Sequence, residues 1–282
     1  MKDYSKYEEN EKVYIGGTGA NKEIIINGYS YLVKFQKSSQ MGWLFNHVSE
    51  YIGSEVYRLL GLPAQDCFLG TFKDKNVVII KNFLNRDERL ILFENVMEMM
   101  LDINRGSHTY SFDDIEHIII GSGKTGSIRA SIDRFYDMYV IDALNGNSSR
   151  STYSWGYIEG ENDYHLAPVF NNDECLYPNI NSDILINSAL NSTSFIEEML
   201  LDGSNEILSH NMRMSFNKVL MSHEYKECDN ALRRIVPRID LEKIYELIDS
   251  IECISDVRKE FYKTIYKLRY EKILLPAYEG GF

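Results

Sequence analysis

The chain has 282 residues, 44% of them hydrophobic and 26% charged, enough for one large domain or two lobes around a cleft. Its net charge of −12, with no Lys/Arg cluster, argues against a nucleic-acid binder, which needs grouped cations to release counterions. No apolar run reaches the roughly 18 residues that a transmembrane helix requires, so no membrane partner is expected.

The first ten residues lack the apolar stretch of a signal peptide. A cytoplasmic location is therefore expected, and secretion by a signal-less route stays compatible with it. Cys67, Cys175, Cys228 and Cys253 stand far apart, without a Cys-x-x-Cys pair. They read as buried thiols rather than a zinc site.

In chain order, Val13–Gly17 is a strand entering the turn Gly16-Gly17-Thr18-Gly19. Glu23–Asn27 and Ser30–Gln36 are apolar, β-branched runs around Asn27-Gly28, a strong hairpin signal because both turn residues tolerate positive φ. Ser49–Leu60 places Tyr51, Ile52, Val56, Leu59 and Leu60 on one helical face, with Ser49 as N-cap and Gly61-Leu62-Pro63 as the stop. Phe68–Phe72 and Val77–Ile80 form a second hairpin. After Asn82 the pattern turns helical: Leu90–Asp102, Asp113–Ile120 and Ile128–Leu144. Residues 146–178 read as short strands and loops. Helices follow at Ser194–Leu201, Glu206–Ser215, Asn217–Met221, Tyr225–Ile235, Leu241–Ile248 and Ser255–Leu274. The β-rich and α-rich parts meet near Lys81–Arg89.

Several motifs carry more than one reading. Gly16-Gly17-Thr18-Gly19 allows backbone amides close to a phosphate, but a glycine-rich surface turn is preferred. Gly121-Ser122-Gly123-Lys124-Thr125 lacks the leading glycine of a Walker loop and follows a helix, so a flexible loop is preferred. Lys34 lies in the alternating strand Tyr31–Phe35. A kinase holds its phosphate-contacting lysine on such a strand, yet period two equally allows a solvent-facing lysine. Glu50 lies near the start of the next helix, where it either pairs with Lys34 or stays exposed beside a helix N-terminus. Asp137 and Asp142 are five residues apart on one helix; a solvated Asp137 and a structural Asp142 are the expectations.

The order of these pieces is that of a kinase. Asn147-Ser148-Ser149-Arg150-Ser151-Thr152-Tyr153-Ser154-Trp155-Gly156 resembles the N-x-D-R-H-x-x-N-W-G loop of HipA-like serine/threonine kinases. Leu166-Ala167-Pro168-Val169-Phe170-Asn171 is similar to their L-A-P-x-F-D segment. The similarity runs through nearly the whole chain. It implies an α+β, bilobal protein-kinase-like fold, with a β-rich N-lobe at 1–83 and an α-helical C-lobe at 84–282. By position, Gly16, Gly17, Thr18 and Gly19 would cover the phosphates, Lys34 would touch them, and Glu50 would orient Lys34. The backbone of Lys81, Asn82 and Phe83 would meet the adenine of ATP, with or without Mg²⁺.

The departures fall on the chemistry. The resemblance places the family's catalytic aspartate at Ser149, the following histidine at Ser151, and the metal-binding asparagine and aspartate at Ser154 and Asn171. Phosphoryl transfer needs a base and a cation that neutralises developing charge, and Mg²⁺ prefers hard anionic oxygen. Loss of the base alone costs about 10²–10⁴-fold. Asp173 and Glu174 are the carboxylates nearest to a rescue position. The expectation is a pseudokinase that keeps the scaffold and nucleotide binding and acts on an unidentified protein partner. An active kinase or nucleotidyl transferase with relocated carboxylates is the alternative, and a scaffold that binds no nucleotide is a third reading.

Overall fold

Asn27 and Gly28 both adopt positive φ, at 52° and 82°, as a two-residue hairpin turn demands. The computed structural model describes residues 1–10, 22–40, 42–101, 110–123, 126–161, 163–201 and 203–281. The strand expected at Val13–Gly17, the turn Gly16, Gly17, Thr18 and Gly19, and Lys124-Thr125 lie outside these residues. Two compact units form, one from 1–83, 168–191 and 242–263, the other from 84–167, 192–241 and 264–282.

The first unit is built on a sheet of β1 (Lys2–Asp3), β2 (Glu8–Asn10), β3 (Lys22–Ile26), β4 (Tyr29–Phe35), β5 (Cys67–Phe72) and β6 (Lys75–Lys81), in the order β1-β5-β6-β4-β3-β2. The second hairpin, β5–β6, turns at Lys73 and Asp74, both with positive φ. Strand β6 is apolar on both faces, as a central strand should be. Val77 and Ile79 pack with Tyr4, Ile24, Ile26, Val33 and Phe72. Val78 and Ile80 face the other way, with Cys67, Leu32, Leu69 and Tyr51. Tyr51 belongs to helix α1 (Asn46–Leu59), which covers that face. The helix begins three residues before the expected Ser49. Ser49 is fully buried rather than capping, because Asn46 and His47 are also drawn under the surface.

The second unit opens with β7 (Arg89–Leu92) and α2 (Phe93–Leu101). The helix expected over Leu90–Asp102 is therefore shortened: its first residues pair as a strand with β8 (Gly156–Glu159). Helix α3 (Phe112–Gly121) starts on a capping box between Ser111 and Asp114, and α4 (Ile128–Asn145) starts on Ser127. Gly146 ends α4 at φ 64°, and a Cβ there would sit 3.0 Å from the buried Arg269. Strand β9 (Tyr164–Leu166) completes a sheet ordered β9-β8-β7.

Helix α5 (Asp183–Leu190), with Ser182 as N-cap, lies in the first unit and was not foreseen. Helix α6 (Thr193–Leu201) follows. Glu206–Ser215, expected to be helical, is instead a tight hairpin of β10 (Leu208–Ser209) and β11 (Met212–Arg213). His210 and Asn211 supply its positive φ values of 48° and 60°, which a helix does not permit. The chain continues through α7 (Phe216–Ser222), α8 (Lys226–Ile235), α9 (Leu241–Asp249) and α10 (Asp256–Arg269). The expected Ser255–Leu274 helix becomes α10 plus a π-helical turn over Tyr270–Leu274. Cys67, Cys175 and Cys228 are buried, whereas Cys253 is partly exposed, against the expectation for all four. Among the described residues no helix is long and apolar enough to cross a membrane.

Candidate functional site

Lys34 does not face solvent. Its Nζ donates to Glu50 Oε2 at 2.7 Å, and its side chain is only 17% exposed while Glu50 is fully buried. Strand β4 sets this direction, since Lys34 pairs in register with Val78. Glu50 lies in the first turns of α1 and is buried on the side of Gly53 and Ser54, away from the apolar stripe of Ile52, Val56 and Leu59 that the sequence marks. Its second oxygen, Oε1, accepts the Asn172 backbone amide at 2.8 Å and the Gln65 side-chain amide. Asn172 Nδ2 and Gln65 Nε2 also donate to Ser54 Oγ, at 3.0 and 3.3 Å. A buried carboxylate is tolerable only when its lone pairs are filled in this way.

The 171–175 segment comes close to α1 at Gly53. A Cβ at that position would lie 2.7 Å from Asn172 Cβ and 2.9 Å from Cys175 Sγ. The absent side chain thus lets this segment rest on the helix. Asn171 adopts φ 58°, and its Oδ1 accepts a second hydrogen bond from Lys34 at 3.2 Å. Asp173 Oδ2 is held by Lys37 at 2.6 Å. Burial alone would push the Asp173 carboxyl up, but Lys34 and Lys37 outweigh it and hold it below the usual range. Burial, then the charge of Asp173, pushes Glu174 up. For Lys34, burial opposes the charge, yet Glu50 and Asp173 prevail and raise its pKa.

At the end of β6, Lys81 and Asn82 donate their amides within the first unit, to Asp66 O and Ser30 O, both at 2.9 Å. Phe83 stacks on Phe170, with centroids 6.2 Å apart.

The 147–156 loop belongs to the second unit and is organised around a buried ion pair. Arg150 donates to both oxygens of Asp142, at 2.7 and 3.1 Å, and both side chains are inaccessible. Asp142 is therefore structural, as expected. Asp137, expected in solvent, is instead bound by Arg234 at 2.7 Å, a partner 97 residues away. Ser149 donates through its amide and hydroxyl to Asn147 Oδ1, both at 3.2 Å. Ser154 Oγ accepts the Ser151 amide at 2.8 Å and donates to the Ser151 carbonyl at 2.9 Å. Ser149 and Ser154, which the resemblance aligns with a base and a metal ligand, thus bond within their own loop. Sequence reasoning missed Glu94, which is buried and accepts the hydroxyls of Thr152 and Tyr153. It also missed Lys37 and Gln65, which carry no motif and are identified only by their partners.

These donor sets do not fit a magnesium ion. Mg²⁺ asks for anionic oxygens at about 2.0–2.1 Å in octahedral array. Asn171 offers a neutral oxygen already bonded to an ammonium, and Asp173 is tied to Lys37. Ser154 offers only a neutral hydroxyl that already accepts from and donates to Ser151. The ammonium of Lys34, held by Glu50, is of the charge type that a nucleotide's phosphates would require.

No family model matches the chain. It is 29% identical to the serine/threonine-protein kinase CtkA of Helicobacter pylori, over 98% of this chain and 87% of that protein. The crystal structure of the proinflammatory kinase CtkA matches it with a TM-score of 0.89 at 26% identity, covering 99% of this chain and 98% of that one. HipA of Shewanella oneidensis, solved with HipB and operator DNA, shares the fold at a TM-score of 0.54 and 14% identity. That match covers 96% of this chain and 68% of HipA. The expected α+β, kinase-like fold, with a β-rich N-terminal region and a helical C-terminal region, is what these comparisons find. The chain is similar to CtkA in sequence and fold along nearly all of its length, and it shares the kinase-like fold of HipA.

Proposed function

We propose that this chain is a pseudokinase: it accepts ATP at the Lys34–Glu50 centre, transfers no phosphate, and acts in the cytoplasm by binding a protein partner. The observation that carries this reading is the commitment of Ser149, Ser154 and Asn171 to bonds within the chain. ATP would supply a transferable phosphoryl group. The chain offers it an oriented ammonium but neither a base at Ser149 nor anionic metal ligands at Ser154 and Asn171. The test is incubation with labelled ATP, Mg²⁺ or Mn²⁺ and generic protein substrates. No transfer is expected; robust phosphorylation abolished by Lys34→Ala would refute the reading.

A second reading keeps catalysis, as a kinase or nucleotidyl transferase with a relocated carboxylate. Glu94 favours it, being a buried carboxylate bonded to two hydroxyls of the 147–156 loop. It predicts metal-dependent consumption of nucleotide that Glu94→Gln abolishes.

A further inference from the structure

At the 171–173 segment two ammonium groups hold the side-chain oxygens that a metal ion would otherwise need. Lys34 bonds the side-chain oxygen of Asn171, at the position where the family's metal-binding carboxylate belongs. Two residues on, Lys37 bonds Asp173, the carboxylate nearest to that position. Lys34 lies near the end of β4 and Lys37 just beyond it, so both ammonium groups converge on the 171–173 segment. A divalent cation arriving here meets two positive charges and displaces at least one ion pair before it gains a carboxylate oxygen. An anion also has to displace Asp173, but it then takes over the bond to the Lys37 ammonium. The Lys37 side chain is 40% exposed, so a phosphate can reach its ammonium without unfolding anything.

We infer that Lys34 and Lys37 form a metal-independent receptor for the phosphates of a nucleotide, with Asp173 as the internal counter-ion that the phosphates displace. This rests on the nucleotide-binding reading above and adds to it that Lys37 takes the place of the magnesium ion. Charge-assisted bonds from ammonium to phosphate are short and strong, so the exchange of a carboxylate for a phosphate conserves the bonding of Lys37. Free ATP carries more negative charge than its magnesium complex and is the better ligand for such a site.

Titration calorimetry of the whole chain with ATP, once in EDTA and once with excess Mg²⁺, tests this. The expected result is binding in EDTA at least as tight as with Mg²⁺, weakened about tenfold or more in Lys37→Ala and restored in Lys37→Arg. Asn171→Asp should reverse the preference, so that Mg²⁺ strengthens binding. Binding that requires Mg²⁺ in the unaltered chain would overturn the metal-independent receptor and leave the nucleotide reading standing. Binding in EDTA that ignores Lys37→Ala would overturn the role of Lys37. No binding in either buffer would refute the nucleotide reading itself. The melting temperature of each variant separates these outcomes from misfolding.

Discussion

Around Lys34, charge is retained and internally compensated: Lys34 with Glu50, and Lys37 with Asp173. In the 147–156 loop, charge survives only where it holds the chain together, in Asp142 and Arg150. Ser149 and Ser154, which the kinase resemblance aligns with a base and a metal ligand, are neutral and bonded to their own loop. The difference separates two uses of polar residues. An ion pair that orients a side chain is costly to remove, because its partner is left buried and alone. A ligand for an external ion costs nothing structural when a serine can close the same turn.

That comparison predicts a ranking of damage. Asp142→Ala strands a buried guanidinium and should lower stability by about 3–5 kcal/mol, read from the urea midpoint. A much smaller loss would mean that the loop does not depend on this pair.

The next effect is on pH dependence, at His47 in the first turn of α1. Burial lowers the pKa of His47 from 6.5 to about 4. The unfolded chain therefore binds a proton at His47 between those values while the native chain does not, so stability rises with pH across this window. The contribution is fully present above pH 6.5 and is lost as pH falls towards 4. A shift of this size amounts to roughly 3 kcal/mol. His47→Gln should flatten that part of the stability profile; an unchanged slope would assign it to other groups.

Gly53→Ala inserts a methyl group against Asn172 and Cys175 and should cost about 1–3 kcal/mol. It should also disturb nucleotide binding, whereas Asp142→Ala acts on stability. The smallest effect expected is that of Ser154→Ala, about 1 kcal/mol from the lost Ser151 bonds. A neutral or stabilising result there would show that the hydroxyl is not needed by the loop.

The parts of the molecule that sequence made legible are those where neighbours in the chain decide the outcome. The β3–β4 hairpin follows from Asn27-Gly28, whereas the Lys34–Glu50 pair was legible through the kinase resemblance, since the residues alone equally allowed both side chains to be exposed. Contacts decided by distant residues were not legible. Arg234 claims Asp137, and nothing local to Asp137 announces it. Lys37 and Asp173 are 136 positions apart. The hairpin at 208–213 was hidden because Ile207, Leu208 and Met212 imitate helical spacing, while the deciding property is the left-handed backbone of His210 and Asn211. Helix α5 was missed for the opposite reason: Ile184 and Leu185 are exposed, so no one-sided apolar stripe marked it. Its Ser182-Asp183 start was the signal available.

The most direct measurement for the central claim is intact-mass spectrometry of the chain and a generic acceptor protein after incubation with ATP and Mg²⁺ or Mn²⁺. The account predicts unchanged masses for both. A phosphate or nucleotide added to either one, and absent with Lys34→Ala, would contradict it.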